Sequence, residues 1–140
     1  NEFMEKPFGP MVVRFFMMQA HYRSTLDFTS EALTAAEKGY DKLMEAMRSI
    51  ELLKVEKQSS VDVRSLVASF YEAMNDDFNA PILVAKLFDA VKYINSIKDG
   101  NQSIGSADLQ LLQKEMNMSI IYTKVLADAT SAENLRLQIT

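Results

Sequence analysis

Along the chain, apolar residues return at intervals of three and four far more often than at intervals of two, the period of an α-helix and not of a strand. The opening "NEFMEKPFGP" is an extended or partly helical lead-in broken by Pro7, Gly9 and Pro10. Pro10 suits a first helical turn, where its missing N–H is no loss. The helix that follows, "MVVRFFMMQAHY", is apolar nearly all round except for Arg14 and Gln19, and is expected to lie buried between neighbours. Thr29 or Ser30 caps a second helix, with Glu31 in its first turn complementing the dipole. Leu33, Ala36, Tyr40, Leu43, Met47 and Ile50 then form one long apolar stripe, and Glu37, Lys38, Asp41, Lys42, Glu45 and Arg48 take the other faces. Gly39 within it costs about 1 kcal/mol against alanine, which points to a close helix approach.

The polar stretch "VEKQSSVD" connects to a third helix over residues 61–75, with Val63, Leu66, Val67, Phe70 and Met74 inward. "NDDFNAP" breaks it, and Asn79, Ala80 and Pro81 read as the cap and first positions of a fourth helix. Leu83, Leu87, Val91, Ile94 and Ile97 line one face of that helix, widened by Val84 and Phe88. Gly100 is its predicted C-terminal stop. Ser106 caps a fifth helix bearing Leu109, Leu112, Met116, Ile120 and Thr123. The pattern fades in "DATSAENLRLQIT". The expected organisation is a lead-in over residues 1–10, an antiparallel all-α bundle of four to five helices over 11–127, and a frayed or truncated tail over 128–140.

Composition narrows the function classes. The 140 residues are one domain's worth, 48% hydrophobic and 24% charged, which is a globular balance. There is no cysteine, so disulfides and thiolate metal sites are excluded, and a cytoplasmic setting is compatible. No apolar run approaches the length of a membrane span, and the N-terminus lacks a signal-peptide pattern. A net charge of −4 argues against a general polyanion binder, so any nucleic-acid surface must be a local patch.

Candidate chemistry is thin. There is no phosphate-cradling glycine loop, and one histidine cannot furnish the paired Glu-x-x-His motifs of a di-iron bundle. Asp76 and Asp77 sit in a turn, where capping or salt bridging is the ordinary role of such residues. His21 has no orienting partner nearby in sequence, and at a helix end it favours the C-terminal dipole. Tyr22 with Arg23 has the form of a stacking-plus-phosphate pair, which a packed tyrosine and a salt-bridged arginine explain equally well. The nine methionines fall mostly on core stripes and read as packing filler. No catalytic, cofactor-binding or metal-ligating residue is identified.

Two stretches carry a resemblance. "FFMMQAHYRSTLDFTSEALTAAEKGYDKL" resembles the segment after the catalytic domain of cysteinyl-tRNA synthetases, where a helix ends in a His-Tyr-Arg-Ser signature, here His21, Tyr22, Arg23 and Ser24. "FYEAMNDDFNAPILVAKLFDAVKYIN" is similar to that family's Asp-Asp-Phe-Asn-Thr-Pro signature, here Asp76, Asp77, Phe78 and Asn79 with Ala80 in place of the threonine. The two lie about 55 residues apart and cover most of residues 12–95. The resemblance implies an anticodon-binding-domain-like helical fragment of a class I synthetase, which attaches cysteine to tRNA(Cys) using ATP and carries zinc elsewhere. The family's His-Ile-Gly-His motif, zinc ligands and Lys-Met-Ser-Lys-Ser loop are absent here, so the expected fragment supports tRNA without performing chemistry. Its implied partners are tRNA(Cys) and the missing catalytic domain, with no membrane.

In such an enzyme the His-Tyr-Arg-Ser corner marks the passage from the catalytic half into the bundle, and Arg23 is expected to pair with Asp76 or Asp77. Arg48, Lys54 and Lys57 are the candidate tRNA-backbone edge, against the plainer reading of a solvated helix face. Because anticodon reading in the family is associated largely with later sequence, the isolated chain is expected to bind tRNA weakly or not at all. The rivals are a stand-alone protein-interaction bundle, the equivalent bundle of another class I synthetase such as the methionyl or arginyl enzyme, and a paralogue that attaches cysteine to something other than tRNA.

Overall fold

Capping chemistry sets where the helices begin. The computed structural model describes residues 8–19, 29–76 and 79–139, with side chains described as far as Lys124. Five helices follow in order: α1 Pro10–Met18, α2 Ser30–Ile50, α3 Val63–Asn75, α4 Ala80–Lys98 and α5 Ser106–Ile139. Thr29 caps α2, its Oγ1 accepting from the Ala32 N–H at 3.1 Å. Asp62 caps α3 by accepting from Ser65 N–H at 3.0 Å, and Asn79 caps α4 by accepting from Ile82 N–H at 3.3 Å. Each carboxylate, amide or hydroxyl satisfies a first-turn donor that the helix itself leaves free. Val61 and Leu66 flank the Asp62 cap at the positions of a hydrophobic staple, and both are buried.

Gly100 ends α4 as expected, with φ at +82°. Its N–H donates to Ile97 C=O at 3.1 Å and the Asn101 N–H to Ser96 C=O at 2.9 Å, the paired bonds of a Schellman stop.

Several boundaries differ from the sequence expectation. The first helix stops at Met18, with Gln19 as its C-cap residue, and only Val12 and Met18 on it are buried, most of its other residues being half-buried. The third begins at Val63, since Asp62 is taken as its cap. Ser106 is the first helical residue of α5 and not its cap; the preceding Gly105 supplies the carbonyl that Leu109 N–H reaches at 2.9 Å. The tail expected to fray is helical in its backbone to Ile139. No glycine or proline occurs from Ser106 onward, so nothing in the sequence stops the helix.

The core lies where α2, α3, α4 and α5 meet. Ile50, Phe70, Leu83, Leu87, Ile94, Ile104, Leu112 and Met116 are almost entirely removed from solvent. Tyr40, Met47, Met74 and Phe88, placed on the predicted stripes, are half-buried at its margin. The most extensive helix pairing is α3 with α4, followed by α1 with α2 and α2 with α4. Gly39 faces Phe88 and Phe15, yet a Cβ there would stand 3.4 and 3.5 Å from their rings, at ordinary contact distance. The close approach expected of this glycine is therefore not tight enough to demand it. Gly39→Ala is expected to stabilise the bundle by about 0.4–1 kcal/mol; a melting temperature that falls would show that the rings cannot accept the methyl.

At one end of the bundle the α2–α3 and α4–α5 connections are laced together. Glu56 N–H donates to Ile104 C=O at 2.9 Å and Ser60 N–H to Ser103 C=O at 3.0 Å, with an isolated parallel bridge between Glu56 and Gly105. Ser59 Oγ donates to Asp108 Oδ2 at 2.6 Å and accepts from Gly105 N–H at 2.8 Å. Ser60 Oγ accepts from Ser103 N–H at 2.8 Å, while Ser103 Oγ donates to Gln58 C=O at 2.9 Å. Leu53, Val61 and Ile104 pin the lacing to the core from below. The ends of α2 and α4 and the starts of α3 and α5 are thereby held as one surface.

Candidate nucleic-acid interface

The residues singled out from sequence separate into two groups. His21, Tyr22, Arg23, Ser24, Asp77 and Phe78 lie outside the described residues. Asp76 and Asn79 are described, and both do structural work: Asp76 closes α3 with its N–H on Glu72 C=O at 3.1 Å, and its carboxylate accepts from Asn79 Nδ2 at 3.3 Å. Asn79 in turn caps α4. For this half of the signature the capping role is the one the geometry displays.

Arg48, Lys54 and Lys57 are exposed at the laced end of the bundle. Arg48 sits in the last turn of α2, where a cation complements the helix dipole. Lys54 Nζ stands 4.0 Å from Glu56 Oε1, with side chains 88% and 51% exposed. Such a pair is worth little. Glu51, Asp62 and Asp99 share the same end, so the three cations form a mixed edge and not a uniformly positive one.

A polar groove that the sequence reading missed runs between α3 and α4. It is a recess of about 570 Å³ with Ser65 and Ser69 on one wall and Lys86, Asp89, Lys92 and Tyr93 on the other. The signal that could have found it is the spacing of Lys86, Asp89 and Tyr93 at i, i+3 and i+7, a polar row beside the apolar stripe of α4. The apolar cleft lined by Met11, Phe15, Met18, Tyr40, Met44 and Val84 has a volume of only about 40 Å³, room for a few waters at most.

Elsewhere the polar contacts are structural. Tyr71 OH donates to Glu115 Oε2 at 2.7 Å, linking α3 to α5, and this bond raises the phenol's pKa above its ordinary value. Burial raises that of Tyr122. Among the described residues the exposed large apolar ones are Leu52, Val55, Tyr71, Ile82, Met118 and Ile121, spread over a loop and three helices. Among the described residues these do not make a contiguous Met/Phe patch. Among the described residues no helix is long and apolar enough to cross a membrane, and no three His, Asp or Glu side chains are grouped to hold a metal ion.

An all-α bundle with a polar α3–α4 groove now meets the comparisons with known proteins. A family described as the DALR domain matches residues 69–121, from the middle of α3 through α4 into α5. Over 129 residues the chain is 43% identical to the cysteine–tRNA ligase of Parabacteroides distasonis, an alignment covering 92% of this chain and 26% of that protein. It is 48% identical over 114 residues to that of Bacteroides fragilis, covering 81% and 23%, and 44% identical over 110 residues to that of Porphyromonas gingivalis, covering 79% and 22%. By sequence, the chain is similar to one segment of these cysteine–tRNA ligases. It spans about a quarter of the length of the relatives it matches.

Proposed function

We propose that this chain is the tRNA-side helical module of a cysteine–tRNA ligase, a cytoplasmic enzyme that attaches cysteine to tRNA(Cys) with ATP. One observation carries the reading: four-fifths or more of the chain aligns with such ligases at 43% and 48% identity. The module supports and orients the tRNA. On this reading cysteine activation, ATP and zinc belong to other parts of the enzyme. The catalytic domain of the ligase is its second partner. Arg48, Lys54 and Lys57 contribute backbone contacts from the laced end, weakened by the acids beside them.

The test is a domain exchange. With residues 11–139 replacing the matching helical segment of the Parabacteroides distasonis enzyme, the chimera is expected to charge tRNA(Cys). A chimera that folds and activates cysteine yet leaves tRNA(Cys) uncharged would refute the reading.

Within this account Arg23 pairs with Asp76 or Asp77 and fixes the bundle's angle to the catalytic half. Asp76 is exposed, so if it is the partner the coupling is about 0–1 kcal/mol. A double-mutant cycle on Arg23 and each aspartate reads it directly; zero coupling to both removes the joint.

A further inference from the structure

The α3–α4 groove has chemistry that the tRNA-side reading does not yet use. Of its polar groups, two are engaged: Asp62 Oδ1 accepts from Ser65 N–H, and Ser69 Oγ donates to Leu66 C=O. The Lys86 and Lys92 ammonium groups, the Asp89 carboxylate, and the Ser65 and Tyr93 hydroxyls have no hydrogen-bond or ion-pair partner among the described residues. Lys86 to Asp89 and Asp89 to Lys92 are both i, i+3 steps, the separation at which helical ion pairs commonly close, and neither is closed here. Five polar groups without protein partners therefore converge on one recess, the arrangement expected of a binding surface.

Their order along α4 is cation, carboxylate, cation. At a rise of 1.5 Å per residue, the two lysines stand about 9 Å apart along the helix axis, with Asp89 midway. An RNA strand has the matching order: phosphate oxygens that accept from ammonium groups, separated by a ribose whose 2′-hydroxyl can donate to a carboxylate. DNA lacks that hydroxyl. An acidic peptide would pair with the lysines but set its own carboxylates against Asp89.

We infer that the α3–α4 groove binds a ribose–phosphate strand, with Lys86 and Lys92 on phosphates and Asp89 on a 2′-hydroxyl, and so distinguishes RNA from DNA. This rests on the reading of the chain as a tRNA-side module and names a surface separate from the Arg48, Lys54 and Lys57 edge.

The experiment is an amide-shift titration of the isotope-labelled chain at low salt. Its probes are RNA hairpins cut from each stem of tRNA(Cys), DNA hairpins of the same sequence, and polyglutamate. Shifts are expected on Ser65, Ser69, Lys86, Asp89, Lys92 and Tyr93 with at least one RNA hairpin, and at least about tenfold weaker binding of its DNA counterpart, given the lost 2′-hydroxyl contact. Lys86→Ala with Lys92→Ala should lower the slope of log affinity against log salt by about 1.5–2, one phosphate contact per lysine. Asp89→Ala should bring RNA and DNA affinities together. RNA shifts confined to Arg48, Lys54 and Lys57 would overturn the groove and leave the tRNA reading standing. No RNA shift anywhere, at hairpin concentrations high enough to register weak binding, would overturn the groove, while polyglutamate shifting the groove as strongly as RNA would make it a simple cationic patch for an acidic protein.

Discussion

Replacing Phe70 with alanine is expected to lower the unfolding free energy by about 3–5 kcal/mol, the usual loss for a large aromatic cut from a packed core. Phe70 is 1% exposed and lies on α3 among the buried residues shared with α4 and α5. Its removal leaves a void between helices whose backbones are held at both ends by caps and by the laced loops, so the site has little freedom to collapse. Against a total of about 5–15 kcal/mol for a domain, that loss takes away a large share of the folded population's margin. Urea unfolding should show the midpoint falling with an unchanged slope. A loss below about 1 kcal/mol would mean that α3 is not locked against its neighbours as described.

Ser59→Ala should have the next largest effect, about 1–3 kcal/mol. The hydroxyl both donates to Asp108 Oδ2 and accepts from Gly105 N–H, so its loss leaves a partly buried carboxylate and a backbone donor without their partner. The change is a deletion of one oxygen at a half-buried site, which separates this hydrogen-bond term from packing. Faster amide exchange at Glu56 and Gly105 should accompany the drop in stability. If Ser59→Ala and Asp108→Ala prove additive, the two side chains are not coupled and the lacing is not an energetic unit.

What could be read in advance depended on the range of the interaction. The α4 stripe of Leu83, Leu87, Val91, Ile94 and Ile97 is buried as the periodicity predicts, because a helix facing neighbours on one side is written in its own spacing. Thr29, Asn79 and Gly100 were legible for the same reason: a cap or a left-handed stop acts within three or four residues. The lacing of Ser59 with Gly105 and Asp108, and of Ser60 with Ser103, was not, since each partner is more than 40 residues away and serine-rich loops have no period. The extent of α5 is not written in its apolar stripe, which fades before the helix ends, because the backbone needs only residues that tolerate the helix.

The interface divides along the same line. Arg48, Lys54 and Lys57 were found as neighbours in sequence; of the acids that share their surface, Glu51 and Asp62 lie in the same connection as the two lysines, whereas Asp99 arrives from the α4–α5 connection. Lys86, Asp89 and Lys92 do not stand out in the sequence, because only the packing of α3 against α4 supplies the second wall with Ser65 and Ser69.

The central claim is that these helices serve the tRNA and take no part in cysteine activation. Its most direct measurement compares cysteine-dependent ATP–pyrophosphate exchange with tRNA(Cys) charging, in the Parabacteroides distasonis chimera, before and after Arg48, Lys54, Lys57, Lys86 and Lys92 are all changed to alanine. Exchange should stay the same while the KM for tRNA(Cys) in charging rises at least about tenfold, as loss of phosphate contacts requires. Exchange falling in step with charging, or neither changing at all, would contradict the account.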